Sequence, residues 1–455
     1  MYQIHGANTG SRADIHRSRH TRIVSRRSPS GRVNRVVQRR GRMMNVTVAR
    51  PSAATPAPAP QQPAALPSSG AVPASYATLG ALIADLAPED PLFCLSLATA
   101  TRTARDFSSR FPGITTYALK ACPLPELVAT FAQAGVSAFD VASLQEMALV
   151  RRIDATAPLH YNNPIRSDTE TRRAYEDFAV RHFTVDDAVG LERLNRAIPP
   201  GDRGDVEVSV RLRVAKNTAR IDFTAKFGMP PAPAVEMMRA IVTAGYRPAI
   251  TFHPGSQCGD PQAFATLIAS AAEICATTGT TPHTVNVGGG FPVAYDDARC
   301  PPLAAYFSAI SLAFNTHFDP ARTRLVAEPG RALAAPTMSL LTQIKHIRSD
   351  GSVYLNDGLY GGLLELTQID LHLPTRVWRG SAILTGPTEP RQLYGPTCCP
   401  IDRFPSPVPL PAEIVEGDRI EFGLTGAYGL ATVTHFNGYG PTQVIGVDEI
   451  LTRVN

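Results

Sequence analysis

Lysine is nearly missing from this 455-residue chain: Lys120, Lys216, Lys226 and Lys345 are the only four among 44 basic residues. Chemistry that needs a primary side-chain amine has just those candidates. No stretch reaches the roughly 18 uninterrupted apolar residues of a membrane helix, which excludes a helical membrane-spanning protein. The seven cysteines (Cys94, Cys122, Cys258, Cys275, Cys300, Cys398, Cys399) are odd in number and show no CxxC spacing. That excludes a disulfide-knitted secreted scaffold and the common zinc pattern, and implies a reducing, cytoplasmic home with no bound metal.

Acidic residues are scarce at one end. Residues 1–50 hold twelve arginines, no lysine and one acid, Asp14, so the net +5 of the whole chain conceals a mildly acidic remainder. Attraction to nucleic acid or another polyanion would reside in this arm and not in the body. The arm lacks hydrophobic periodicity and residues 51–75 form a Pro/Ala/Ser-rich linker, so residues 1–75 are expected to be disordered. Three readings of the arm stay open: an organelle transit peptide, a polyanion-binding tail, or a start placed too early, with Met43 or Met44 the true beginning.

With 44% hydrophobic and 18% charged residues, the remainder has a globular composition, and the length allows two or three domains. From residue 115 short β-rich segments alternate with amphipathic helices. Eight strands are predicted, at 115–122, 138–143, 159–163, 182–187, 207–214, 248–256, 284–290 and 324–331. Between them, LPELVATFAQAG turns Leu127, Val128 and Phe131 to one face and stops at Gly135. DPQAFATLIASAAEI opens with an Asp260 cap and Pro261 in the first turn. Eight successive units favour an α/β fold with a (β/α)8 TIM barrel over 111–335, the alternative being an open doubly wound sheet. Beyond 335, the short pieces TMSLLTQIKHI, SVYLND, GSAILTGP, DRIEFG and TGAYGLATVTHF, separated by turn residues, predict an all-β domain over 336–455. Residues 76–110 lead in, and PLFCLSLATA (91–100) could pair with either domain.

A (β/α)8 barrel carries its chemistry at the C-terminal strand ends. Here those ends hold Lys120, Asp140, Asn163, Arg213, His253 with Ser256, the Gly288, Gly289 and Gly290 run, and Glu328 with Arg331. In VNVGGGFP the glycines let backbone N–H groups approach an anion, and Arg331 in AEPGR adds a bidentate cation, which favours a phosphate. Lys120 alone of the four lysines ends a strongly apolar predicted strand, where its amine suits imine formation. A phosphate cradle beside a pocket lysine suggests pyridoxal 5'-phosphate (PLP), whose ring nitrogen needs a carboxylate partner; Glu328 fits.

YALKACP (117–123), FDVAS with Glu146, TFHPGSQ, VGGGFP, AEPGR, NDGLYG, GPTCC and TGAYGLA follow one another in order. Together they closely resemble the fold type III PLP-dependent decarboxylases, a family that includes ornithine, arginine and diaminopimelate enzymes, over about residues 85–450. The resemblance implies that Lys120 holds the cofactor covalently, His253 stacks on its ring and Glu328 pairs with the ring nitrogen. Ser256, Gly289, Gly290, Arg331 and Tyr428 would hold the phosphate, with Asp140, Glu146 and Arg213 as the charged surroundings. Cys398 would reprotonate the carbon that loses CO2, in a head-to-tail homodimer whose GPTC loop enters the partner's active site.

Two departures concern the substrate. The diamine-acid decarboxylases of this family usually read GPTCD, with the Asp binding a distal amine; here that position is Cys399. After NDGLYGG, where a further acid is expected, Asp370 stands one position off and Glu365 several positions early. Cys399, Asp370 and Glu365 are thus the substrate-binding candidates. The resemblance implies decarboxylation of a basic L-amino acid, ornithine to putrescine first, with lysine, arginine or diaminopimelate behind. An amino-acid racemase and a non-catalytic regulator are the alternatives. Deleting residues 1–75 is expected to leave a folded, active, acidic dimer, checked by CO2 release and size-exclusion chromatography; loss of the dimer would show the arm to be structural.

Overall fold

The computed structural model describes residues 24–27, 33–36, 75–213, 219–221, 226–295, 300–369 and 371–452. Most of the arm expected to be disordered lies outside the described residues. Within it, Val24–Arg27 and Val33–Val36 form an antiparallel pair.

Eight parallel strands close into a barrel in sequence order: β1 (Ile114–Ala118), β2 (Ala138–Val141), β3 (Leu159–Tyr161), β4 (His182–Val185), β5 (Glu207–Arg211), β6 (Arg247–Thr251), β7 (Thr284–Asn286) and β8 (Arg324–Ala327). β8 pairs back onto β1, with Val326 opposite Ile114, so the open-sheet alternative falls. All eight strands stop short of their predicted ends. The chain leaves the ladder early because the rim segments need backbone that a strand cannot supply: Gly255 and Gly288 have φ of +104° and +70°. The helix Pro125–Gln133 buries Leu127, Val128 and Phe131 as its spacing requires, and Gly135 follows at φ +108°. In Gln262–Thr278 the Asp260 carboxylate accepts the Gln262 N–H at 2.9 Å, while Pro261 takes the cap position and not the first helical one.

The second sheet is assembled from both ends of the described chain. Leu92–Leu95 lies between Met338–Ile347, to which it runs antiparallel, and Gln443–Glu449, to which it runs parallel. Segment 91–100 therefore supplies a strand to this sheet and then a helix, Leu97–Arg110. Ser96 ties the two together, accepting the Thr99 N–H at 3.2 Å and donating to the Asp448 carbonyl at 2.8 Å. Arg419–Phe422 and Thr375–Arg379 extend the other side. TGAYGLATVTHF, predicted as a strand, is instead a run of turns. Leu424 and Tyr428 are left-handed, and a Cβ on Gly426 would meet the Ala334 carbonyl at 2.0 Å, because the segment runs tightly against the end of the barrel.

The N-terminal end of the barrel is sealed by a buried carboxylate. Glu207, first residue of β5, is 6% exposed and accepts hydrogen bonds from Thr284 Oγ1 at 3.0 Å and Arg324 Nη2 at 2.8 Å. His283 Nδ1 lies 2.5 Å from it and His182 Nδ1 3.3 Å. Burial pushes the Glu207 carboxyl up, but the neighbouring His182 and His283 and the charge on Arg324 outweigh it and hold it well below the usual range. Because the folded-state value is depressed, this contribution is present above the ordinary glutamate range near 4.3 and is lost as pH falls below it. Glu207→Gln is expected to cost about 3 kcal/mol at neutral pH and to flatten the acid limb of the stability curve, checked by thermal melting against pH.

Candidate active site

At the opposite end, the strand ends converge on a cavity of about 520 Å³. Lys120 sits on the helical turn Leu119–Ala121 just past β1 and is half-exposed to the cavity, its Nζ 3.5 Å from Asp140 Oδ2 on β2. Burial opposes its charge, but Asp140, with Tyr428 and Glu328, prevails and holds the ammonium above the usual lysine range. His253, beyond β6, lines the wall. Its Nδ1 accepts the Gly255 N–H at 3.0 Å, so the ring proton belongs on Nε2. Burial, Lys120 and Arg211 keep this imidazole well below its usual range and hence neutral.

Glu328, past β8, is buried among amides. Asn162 and Asn286 both donate to its Oε1. Each amide is oriented by its own oxygen, Asn162 Oδ1 accepting the Thr184 hydroxyl at 2.7 Å and Asn286 Oδ1 the Gly288 N–H at 2.9 Å. Burial, then the nearby Asp140, pushes the Glu328 carboxyl far above the usual range. A positive charge arriving beside it would reverse that penalty.

The glycine run expected to cradle an anion lies beside this cavity. A Cβ on Gly290 would meet the Gly255 carbonyl at 2.2 Å, and one on Gly289 the Glu328 carbonyl at 2.7 Å and His253 Nε2 at 3.1 Å, so both positions require glycine. Ser256 and Arg331 adjoin it, with Arg331 Nε donating to Ser256 Oγ at 3.2 Å. Tyr428 reaches in from the second sheet: its N–H donates to the Ala121 carbonyl at 2.7 Å, and its ring lies 5.0 Å from the Arg331 guanidinium. A glycine cradle with a serine and an arginine, an adjacent lysine and a buried carboxylate beyond fit the phosphate, aldehyde and ring nitrogen of PLP in that order.

Several sequence-chosen residues lie elsewhere. Arg213 is exposed and donates to the Gly228 carbonyl at 3.1 Å, because the chain turns away after β5; Arg211, the last residue of that strand, lines the cavity instead. Glu146 accepts the Ala142 N–H at 2.6 Å and closes the start of the helix Leu144–Ile153, so it shapes the wall without lining it. Glu365 forms a bidentate pair with Arg331 and does not line the Lys120 cavity. Asp370 lies outside the described residues.

Cys398 is exposed on a turn fixed by Asp402, which accepts from the Thr397 N–H and hydroxyl and from the Leu359 N–H. Cys398 Sγ is 3.5 Å from Asn437 Oδ1, and the Tyr360 hydroxyl donates to Cys399 Sγ at 3.1 Å. Neither cysteine lines the Lys120 cavity of its own chain. Sequence reasoning also missed Asn162, Asn286 and Lys226. The two asparagines sit at strand ends, where the rule that found Asp140 could have found them. Lys226 joins the wall through the return of a long connection, where Met229 bridges to Leu212, and has no local signal.

The model of the pyridoxal-dependent decarboxylase pyridoxal-binding domain matches residues 97–335. The lysine/ornithine decarboxylase of Selenomonas ruminantium is 30% identical over 331 residues, 71% of this chain and 80% of that protein. Antizyme inhibitor 2 of Xenopus laevis is 28% identical over 78% of this chain and 80% of its own length. The solved structure of a lysine/ornithine decarboxylase from Vibrio vulnificus complexed with cadaverine superposes with a TM-score of 0.70 at 28% identity, covering 81% of this chain and 97% of that one. The barrel is thus a pyridoxal-binding domain, and the chain belongs to the PLP-dependent amino-acid decarboxylases.

Proposed function

We propose that this chain decarboxylates a basic L-amino acid, L-ornithine to putrescine first and lysine or arginine next, as a step in polyamine formation. The observation that carries the reading is the meeting of Lys120, Asp140, His253 and Glu328 at one rim, with the glycine cradle and Arg331 alongside. PLP, when bound, supplies an electron-poor ring that takes up the electron pair left as the bond from Cα to the carboxylate breaks. Lys120 would hold the cofactor through its amine, and Asp140 would keep that amine protonated whenever it is free. Glu328, fixed in place by its two asparagine partners, would hold a proton on the cofactor's ring. Neutral His253 would pack against the cofactor and exclude water.

Cys398 would deliver the proton to Cα from the partner's loop in a head-to-tail homodimer. Support comes from its position on an exposed turn, away from the cavity of its own chain, near the exposed side chains of Ile401 and Phe436. The seven free thiols support a reducing, cytoplasmic compartment. The likeness to antizyme inhibitor 2 favours a second reading, a non-catalytic regulator, against which stand Lys120, Glu328 and Cys398. Borohydride reduction of the purified protein separates them: label on Lys120 supports the enzyme, whereas a protein without bound chromophore supports the regulator.

The basic substrate is supported by relatives named for lysine and ornithine. With Glu365 engaged by Arg331, Asp370 is the remaining candidate for a compensating acid. Loss of a charge-assisted hydrogen bond to the distal ammonium costs roughly 1.5 to 3 kcal/mol. Asp370→Asn is therefore expected to raise KM for ornithine about ten- to a hundred-fold with PLP content unchanged, and Cys399→Asp to lower it. A screen of amino acids for CO2 release measures both, and an ornithine activity created only by Cys399→Asp would refute the ornithine assignment. For the shared site, mixing inactive Lys120→Ala with slowed Cys398→Ala protein is expected to give turnover above either parent. Equal turnover before and after mixing would return Cys398 to a role within one chain.

A further inference from the structure

Arg331 is buried, where an uncompensated guanidinium charge would carry a large desolvation cost. Glu365 provides it end-on, with Nη1 to Oε2 at 2.6 Å and Nη2 to Oε1 at 2.5 Å. Nη1 also donates to the Tyr295 hydroxyl at 2.9 Å, and Nε to Ser256 Oγ at 3.2 Å. Of the five guanidinium N–H groups, the one without a partner among the described residues is the outer proton of Nη2, on the same edge as Nε. That edge holds Ser256, which follows Gly255, whose carbonyl lies against Gly290. The remaining edge thus lies on the Ser256 side, next to the Gly255–Gly290 contact, while the Tyr428 ring stands 5.0 Å from the guanidinium carbon.

We propose that Glu365 is a positioning residue for the cofactor's phosphate. By occupying the end-on edge of Arg331, it presents the Nε–Nη2 edge, together with Ser256, to a phosphate monoester dianion. Without it, Arg331 could rotate about its last bonds and lose the two-point approach that makes a guanidinium selective for phosphate. Glu365 comes from the short turn Leu364–Thr367 in the connection between Val353–Leu355 and Thr375–Arg379 of the second sheet, so that part of the chain sets the geometry of a barrel site. This inference rests on PLP being the bound group.

The test is titration of cofactor-free protein with PLP and, separately, with pyridoxal, which lacks the phosphate, followed by absorbance. Glu365→Gln keeps the shape and one acceptor, and Glu365→Asp keeps the charge; thermal melting verifies that each is folded. Glu365→Gln is expected to weaken PLP on the order of ten- to a hundred-fold while leaving pyridoxal within about twofold, with Glu365→Asp between wild type and Gln. Equal losses for both compounds, or no change, would reduce Glu365 to a structural charge partner. Tighter PLP binding would mean that it competes with the phosphate, and either result overturns the proposal. Wild-type protein that binds neither compound would sink the cofactor reading itself, a result distinct from those.

Discussion

Closing eight parallel strands into a barrel sends every carboxyl-terminal strand end to one rim and every amino-terminal end to the other. Charged residues at those ends then face one another in little space and must be neutralised there. At the lower rim Glu207 draws Arg324, Thr284 and two histidines into one network. At the upper rim Lys120 and Asp140 face each other, and among the described residues Glu328 is held by neutral amides with no cation in hydrogen-bond contact. The difference matters. The lower carboxylate is held charged by its partners, whereas burial and the nearby Asp140 push the upper one toward its neutral form.

The second sheet completes the site from outside the barrel. Tyr428, in left-handed backbone, bonds to Ala121 beside Lys120, and Glu365 grips Arg331. Ser96 links the C-terminal strand to the helix that precedes β1. Through these contacts the glycine run and Arg331 depend on segments that lie far apart in the chain, from the Ala121 turn beside β1 to the Tyr428 turn near the C-terminal end. An arginine buried at such a junction must be matched in charge and fixed in direction together, and a bidentate carboxylate does both.

The barrel was legible because its signal is local and repeated: eight apolar segments with amphipathic helices between them need no long-range contact to be seen. Lys120, Glu328, His253 and the paired glycines were legible for a related reason, since each follows a strand directly and the barrel dictates where such positions go. Arg213 was misjudged by two residues. Alternation places positions 211 and 213 on the same face, so only the end of the ladder, which is set by the neighbouring strands, decides that Arg211 reaches the cavity and Arg213 turns away. TGAYGLATVTHF has the composition of a strand, but Gly426 pressed against Ala334 forces turns on it.

The sequence by itself determined the fold class, the lysine at the barrel rim and the glycine run beside it, because each depends on residue type at a position defined by neighbours along the chain. Tertiary structure decided which acids do what. Glu146 closes a helix, Glu365 holds Arg331, and Lys226 reaches the cavity from a connection that looked remote. A carboxylate or ammonium takes its role from whichever opposite charge or hydrogen-bond donor the packing brings within about 3 Å, and at that range the partner is chosen by folding, not by spacing.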